Sequence, residues 1–337
     1  MSNHSQPQPC QPRGNMVNAA PIKPSSDDIL KAASRIAGFI HHTPILTSRY
    51  FDQHCNANIF FKCENFQKVG AFKARGASNA ILLLKKEQYA CGVATHSSGN
   101  HAQALSYAAS RLAIPAYIVM PSNASPVKIE AVKGYGGIIT FCKPTLEERE
   151  NTLKTVLEKT GAIEIHPYND PVIIAGQATA ALEAIREINA PDIILAPVGG
   201  GGLLSGTALA AHYFKPGTKV IGVEPEQAND AFLSFTQKKF VPSQNPDTIA
   251  DGLRTSLGSI PFPIILDHVD RIVTVSEKSI VHAMRTLWER MKIIVEPSSA
   301  VPVAAILEKK IEISGKRVAV ILSGGNADLS QLPWIQK

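Results

Sequence analysis

Between residues 92 and 223 the chain alternates short apolar runs with longer segments whose apolar positions recur every three or four residues. The runs Gly92–Thr95, Tyr117–Met120, Ile138–Phe141, Ile163–Ile165, Ile193–Ala196 and Val220–Val223 are short and apolar enough to be buried strands. The segments Asn100–Leu112, Val127–Tyr135, Leu146–Thr160, Ala175–Ile188 and Leu203–Phe214 carry the helical period. Upstream, Ser25-Ser26-Asp27-Asp28 caps a helix built on Ile29, Leu30, Ala33, Ile36 and Ala37. Ile59-Phe60-Phe61 reads as a strand, and Ala77–Leu84 as a helix. Repeated strand–helix alternation predicts an α/β fold with parallel sheets covered by helices on both faces. Four strand signals fall within residues 90–168, enough for a small sheet of their own. A small domain (90–168) is therefore expected inside a large one (27–89 and 169–337). Residues 1–26, with Pro7, Pro9, Pro12, Pro21 and Pro24 among Gln, Asn and Ser, read as a disordered tail, and the proline-rich stretch 240–270 as a long irregular connection.

Composition narrows the function classes. The net charge of +6 is dispersed, and its longest basic blocks are the doublets Lys85-Lys86, Lys238-Lys239 and Lys309-Lys310. Aromatics, at 6%, do not interleave with these, so nucleic acid is not an expected partner. No apolar run reaches membrane-span length and the N-terminus has no signal-peptide pattern, which predicts a cytoplasmic protein without a membrane partner. Cys10, Cys55, Cys63, Cys91 and Cys142 are odd in number and lack C-x-x-C spacing, so free thiols are expected.

Chemistry concentrates at strand ends. In Gln67-Lys68-Val69-Gly70-Ala71-Phe72-Lys73-Ala74-Arg75-Gly76, Lys73 stands at a helix start, where the dipole favours the neutral amine and suits a nucleophile or base. A solvated lysine on an ordinary loop is the bland alternative. Thr95-His96-Ser97-Ser98-Gly99-Asn100-His101 follows a strand and opens a helix, making an anion site fit for a substrate carboxylate, or a simple N-cap. Pro197-Val198-Gly199-Gly200-Gly201-Gly202-Leu203 exposes successive amides and suits a phosphorylated cofactor. Its Gly200-x-Gly202-x-x-Ser205 spacing, with Glu224 ending the next strand, also leaves a nicotinamide enzyme open. Ser323-Gly324-Gly325-Asn326 closes the strand Val318–Leu322, and a serine hydroxyl there can pair with a ring nitrogen without a full charge. Glu224 and Asp230, with a carbonyl between them, offer oxygen ligands to magnesium, manganese or calcium, or are two solvent-facing acids.

Taken together and in this order, these loops resemble the fold-type-II pyridoxal-phosphate enzymes, and more narrowly the serine/threonine dehydratase and serine racemase family, over residues 28–330. Phe61–Lys68, Ala175-Gly176-Gln177, Ala250-Asp251-Gly252 and Trp288-Glu289-Arg290-Met291-Lys292 carry the same likeness. The resemblance implies a two-domain fold like the tryptophan synthase β subunit and a deaminating dehydratase acting on L-threonine or L-serine. Serine racemase activity or hydroxyaspartate dehydration are alternatives to it. It implies Lys73 as the lysine that bonds pyridoxal 5'-phosphate, Phe72 beside the ring, Gly199, Gly200, Gly201, Gly202 and Leu203 at the phosphate, Asn100 and Ser323 at the pyridine, and Gly252 lining the pocket. Ser97, Ser98, His101 and Arg149 would face the substrate, with Ser98 the acid/base on the opposite face. Glu224, Ala228 and Asp230 match a racemase metal site for Mg2+ or Mn2+, with Ca2+ also open. A homodimer is the implied assembly. Departures exist: Tyr168 stands where animal racemases carry an asparagine on the cofactor's ring hydroxyl. Val69 replaces a threonine of the nucleotide region, so ATP is carried as an unassumed partner. The chain ends soon after Ser323, so isoleucine control through a C-terminal regulatory domain is not expected. A β-replacement synthase and a non-catalytic sensor on the same fold are weaker readings.

Overall fold

The computed structural model describes residues 23–335; the expected tail lies outside them as far as residue 22. Helix α1 (Ser26–Ile36) begins at its cap: the Asp28 N–H donates to Ser25 Oγ at 3.2 Å while the Ser25 N–H donates to the Asp28 carboxylate at 2.9 Å. This reciprocal pairing satisfies N–H groups that a helix start leaves open. The chain continues through β1 (Ile45–Thr47), α2 (Arg49–Cys55), β2 (Asn58–Cys63) and α3 (Lys73–Ile81). A strand–helix series follows: β3 (Val93–His96), α4 (Asn100–Ser110), β4 (Ala116–Pro121), α5 (Pro126–Gly134), β5 (Ile138–Cys142), α6 (Leu146–Thr160) and β6 (Ile163–Glu164). Next come α7 (Pro171–Ile188), β7 (Ile193–Pro197), α8 (Gly202–Phe214), β8 (Lys219–Pro225) and α9 (Asp230–Gln237). The last elements are α10 (Pro261–His268), β9 (Arg271–Val275), α11 (Glu277–Met291), α12 (Pro297–Leu307) and β10 (Arg317–Leu322).

The strands form two sheets. One has the order β1-β2-β10-β7-β8-β9, parallel except for the β1–β2 pair, and the other, β5-β4-β3-β6, is parallel throughout. Every residue of β7 is buried, as is all of β10 after Arg317, because helices cover both faces of the large sheet. On one face Phe51, Ala283, Leu287, Val301 and Ala304 pack against Phe61, Leu195 and Val320; on the other Ile174, Ala181, Leu204 and Ala208 pack against Ile194 and Ile321. A third core, under the small sheet, takes in Ala77, Ala80 and Ile81 of α3 with Leu105 of α4 and Ile118 of β4. Helix α3 is thus held from two sides, since it also meets α7 closely: a Cβ at Gly176 would lie 2.6 Å from the Gly76 Cα. No bulkier residue fits that crossing.

Two expectations need correction. The stretch 240–270 is irregular only to Ile260, apart from a short turn at Asp251–Leu253, and then forms α10. Pro261 and Pro263 are compatible with that helix because they occupy its first turn, where N–H groups have no intrahelical partner. Among the cysteines, Cys55, Cys63 and Cys142 are free, but Cys91 is disulfide-bonded. No helix among the described residues is long and apolar enough to cross a membrane.

Candidate active site

Parallel topology brings the C-terminal ends of β2, β10, β7 and β8 to one edge of the large sheet, and each end carries one of the loops singled out above. Beyond β2, the Gly70–Phe72 segment runs against Ser323–Gly325. The Phe72 N–H donates to the Ser323 carbonyl at 3.0 Å, the Gly325 N–H donates to the Gly70 carbonyl at 2.9 Å, and Ala71 bridges Gly324. Lys73, the first residue of α3, is thereby fixed beside the buried Ser323. Its ammonium donates to the Pro167 carbonyl at 2.7 Å and lies 5.2 Å from the Phe72 ring centroid. Although the residue as a whole is half-buried, burial of the amine alone lowers its pKa to about 8.

Asn100 opens α4 and reaches the same place. Its amide donates to Glu296 Oε1 at 2.8 Å and its carbonyl accepts from Asn326 Nδ2 at 2.8 Å; that same Asn326 amide also donates to the Val69 carbonyl. His101 follows, fully enclosed. Its Nε2 donates to the Ile165 carbonyl at 3.0 Å, while Nδ1 is buried with no partner. Burial and the Lys73 charge push His101 down to about 3, so the ring is neutral and its free nitrogen is an acceptor. Ser97 and Ser98 are half-buried in the loop leading to α4. Arg149 stands nearer the rim, in the first turn of α6, where its Nε donates to the Thr145 carbonyl at 3.3 Å. Its charge, after burial, lowers the pKa of His96.

The tetraglycine segment joins β7 to α8, and the N–H groups there have no intrahelical acceptor. Gly201 has φ of +87°, and a Cβ at Gly199 would come within 3.1 Å of the Gly252 carbonyl, so Gly252 packs directly on the loop. A concave run of amides at a helix N-terminus suits a phosphate. With Lys73, Ser323, Asn100 and the acceptor nitrogen of His101 beside it, the residues present fit pyridoxal phosphate.

Glu224, Ala228 and Asp230 form a separate group at the end of β8. Glu224 caps α9, accepting from the Ala231 and Phe232 N–H groups at 3.0 and 2.8 Å. Asp230 Oδ2 accepts from Leu257 N–H at 3.3 Å, while Oδ1 is buried without a partner. Burial raises both carboxyls, Asp230 to about 6, and the Asp230 charge raises Glu224 further. Two adjacent buried carboxylates with an unpartnered oxygen fit a divalent cation, and Ala228, also buried, lies between them in the chain. His42, Glu183 and Glu187 also converge within 4.8 Å, but Lys62 already sits 2.6 Å from Glu183 and 3.5 Å from Glu187, which leaves no role for a metal.

Sequence reasoning missed three groups. Glu296, 5% exposed, lies under the Asn100 amide and has no motif to mark it. Arg75, fully buried, makes paired hydrogen bonds to both Glu64 (2.7 and 2.8 Å) and Glu183 (2.7 and 2.8 Å), binding α3 to the end of β2 and to α7. The Arg-Gly pair shortly after Lys73 is its visible signal. His166 accepts on Nδ1 from the Tyr168 and Asn169 N–H groups at 3.2 and 2.8 Å, which fixes the turn that presents the Pro167 carbonyl to Lys73.

Residues 36–324 match the family described as pyridoxal-phosphate dependent enzyme. A β-hydroxyaspartate dehydratase of Paracoccus denitrificans is 48% identical over 311 residues, covering 92% of this chain and 99% of its own. The crystal structure of serine racemase from Dictyostelium discoideum superposes with a TM-score of 0.86 at 46% identity, covering 90% of this chain and 99% of that one. That of the T.th. threonine deaminase superposes with a TM-score of 0.87 at 43% identity, covering 91% of this chain and 100% of the other. With its lysine, its glycine loop and its two parallel sheets, the chain belongs to the fold-type-II pyridoxal-phosphate-dependent enzymes.

Proposed function

We propose that the chain is an ammonia-lyase that dehydrates and deaminates L-threonine and L-serine, giving 2-oxobutanoate or pyruvate with ammonia, and that it also racemises serine. The observation that carries this reading is a lysine amine of depressed pKa at the start of α3, with the serine loop at the start of α4 close by. Held in this site and joined to the substrate's amine, pyridoxal phosphate would withdraw electrons from the α-carbon and so ease loss of the α-proton and of the β-hydroxyl. Gly199, Gly200, Gly201, Gly202 and Leu203 hold its phosphate, and Phe72, Asn100, Gly252 and Ser323 its ring. Ser97 and the open N–H groups of α4 hold the substrate carboxylate, and His101, whose free Nδ1 accepts, flanks the substrate. Freed from its covalent partner, the Lys73 amine accepts the α-proton. Lys73, now an ammonium, passes that proton to the departing hydroxyl, which leaves as water, and the unsaturated amine product takes up water to release ammonia and the keto acid. Ser98, delivering a proton to the other face of the α-carbon, gives the D-amino acid instead. Glu224, Ala228 and Asp230 bind Mg2+ or Mn2+ as a structural ion.

β-Hydroxyaspartate is the second reading. Arg149 has no carboxylate within 4.0 Å among the described residues, so a dicarboxylic substrate would find an unpaired cation there. One of the relatives above also bears that activity in its name. The proposal includes a small domain (90–168) closing on a large one (27–89 and 169–337), a homodimer as working unit and a cytoplasmic location.

The test is visible absorption of the purified protein before and after borohydride, followed by assays of keto acid, ammonia and D-serine with L-threonine, L-serine and β-hydroxyaspartate. A yellow band abolished by reduction, keto acid formation, and loss of both in Lys73→Ala are expected. Normal turnover by Lys73→Ala would refute the assignment. Ser98→Ala should reduce racemisation more than elimination, and equal loss would remove its separate role.

A further inference from the structure

Residues 166–169 leave the small sheet and enter α7, and each makes a specific contact in the site. Besides the His166 imidazole and the Pro167 carbonyl already described, Asn169 Oδ1 accepts from the Ile260 N–H at 2.8 Å. Tyr168 does two things. Its ring lies directly against the tetraglycine loop: a Cβ built on Gly200 would come within 2.3 Å of Tyr168 Cγ and Cδ1, and one on Gly202 within 3.0 Å of Tyr168 Cβ. Its hydroxyl is engaged at 2.8 Å with Thr255 Oγ1 on the loop before α10. That loop touches the glycines independently, because the Gly258 N–H donates to the Gly200 carbonyl at 3.1 Å and a Cβ on Gly201 would fall 2.9 Å from Leu257 Cδ2. The glycine segment is therefore enclosed between a tyrosine ring and the loop to which that tyrosine is tied.

We propose that the Tyr168–Thr255 pair is a strap that braces the tetraglycine loop and slows release of pyridoxal phosphate, which makes Tyr168 a positioning residue in this chain. It rests on the assignment of Gly199–Leu203 to the cofactor's phosphate. The phenol is committed to Thr255, so the ring-hydroxyl contact implied by the family resemblance at this position is replaced by support of the phosphate loop. Bare glycine at two of the four positions follows from the same arrangement: Tyr168 occupies the space that a side chain at Gly200 or Gly202 would need.

The experiment follows loss of visible absorbance after holoenzyme is diluted into a phosphatase that destroys free pyridoxal phosphate. Tyr168→Phe and Thr255→Val, each removing one partner of a neutral hydrogen bond, should speed release about fivefold. The double variant should be no faster than either single one. Gly200→Ala should lower cofactor affinity, and Tyr168→Ala in the same chain should recover part of it by vacating the space. Melting of the apoproteins is followed in parallel, since a role in stability alone would shift those midpoints and leave release unchanged. Wild-type release in both single variants, multiplicative effects in the double variant, or no recovery in Gly200→Ala/Tyr168→Ala would each overturn the strap. A wild-type protein that takes up no pyridoxal phosphate would instead overturn the reading of the site.

Discussion

Replacing Glu296 with glutamine isolates the effect of one buried acid. Glu296 is 5% exposed, accepts a hydrogen bond from Asn100, and is pushed up to about 7, chiefly by burial and then by the Asp251 charge, with Lys128 opposing. Its folded pKa therefore exceeds the ordinary value of 4.5. Between pH 4.5 and 7 the folded state binds the extra proton, so stability falls as pH rises through that window and is level above it. At 1.36 kcal/mol per pKa unit, ionised Glu296 costs the fold roughly 3 kcal/mol above pH 7. Glutamine has the shape and the donor of the protonated acid and does not titrate. Glu296→Gln should match wild type in thermal midpoint at pH 5 and exceed it at pH 8.5, by roughly 5 °C for a chain of this size. Scanning fluorimetry of the holoenzyme at pH 5, 7 and 8.5 measures this. A difference between variant and wild type that stays constant across pH would refute the argument.

Arg75→Met leaves Glu64 buried without its cation, while Glu183 keeps Lys62, and should lower stability by about 3–5 kcal/mol, read as a loss of soluble protein or a large drop in urea midpoint. Gly176→Ala places a methyl 2.6 Å from the Gly76 Cα, so α3 and α7 must separate; kcat should fall more than KM rises, as substrate kinetics will show. Removing divalent metal with a chelator should lower the thermal midpoint by unshielding Glu224 and Asp230, and Mg2+ or Mn2+ should restore it, whereas Asp230→Asn should be insensitive to both.

The parts of the site that the sequence announces are those where a strand meets a helix. Lys73, the Ser97–Asn100 loop and Gly199–Gly202 each lie between a strand and a helix and are bracketed by local periodicity, and Ser323 directly follows an apolar strand. Within each sheet the parallel connections then place the C-termini of the parallel strands at one edge, which gathers the loops of β2, β10 and β7 without any knowledge of long-range contacts. What stays hidden depends on pairings between distant residues. Glu296 follows Ile293-Ile294-Val295 as an ordinary acid, and its meaning comes from Asn100, 196 positions earlier. Arg75 gains its partners from Glu64 and from Glu183, 108 positions away. Tyr168 reads as a lost asparagine because its partner, Thr255, lies in a stretch with no periodicity to anchor it. The prolines of α10 read as breakers because their place within the first turn is not visible until the helix start is known.

The position of β10 has a consequence for how the protein is made. Among the strands of the described residues this one (Arg317–Leu322) is synthesised last, yet it lies inside the large sheet, between β2 and β7. Until it arrives, β2 and β7 expose their inner edges, and the segment carrying Lys73 lacks the Ser323–Gly325 strip on which it is laid. The small sheet, whose strands run consecutively from Val93 to Glu164, has no such dependence and can close during synthesis. Nascent chains arrested before residue 317 should thus carry a protease-resistant small unit within an otherwise cleavable chain, and cofactor capture should begin only once β10 and Ser323–Gly325 have emerged.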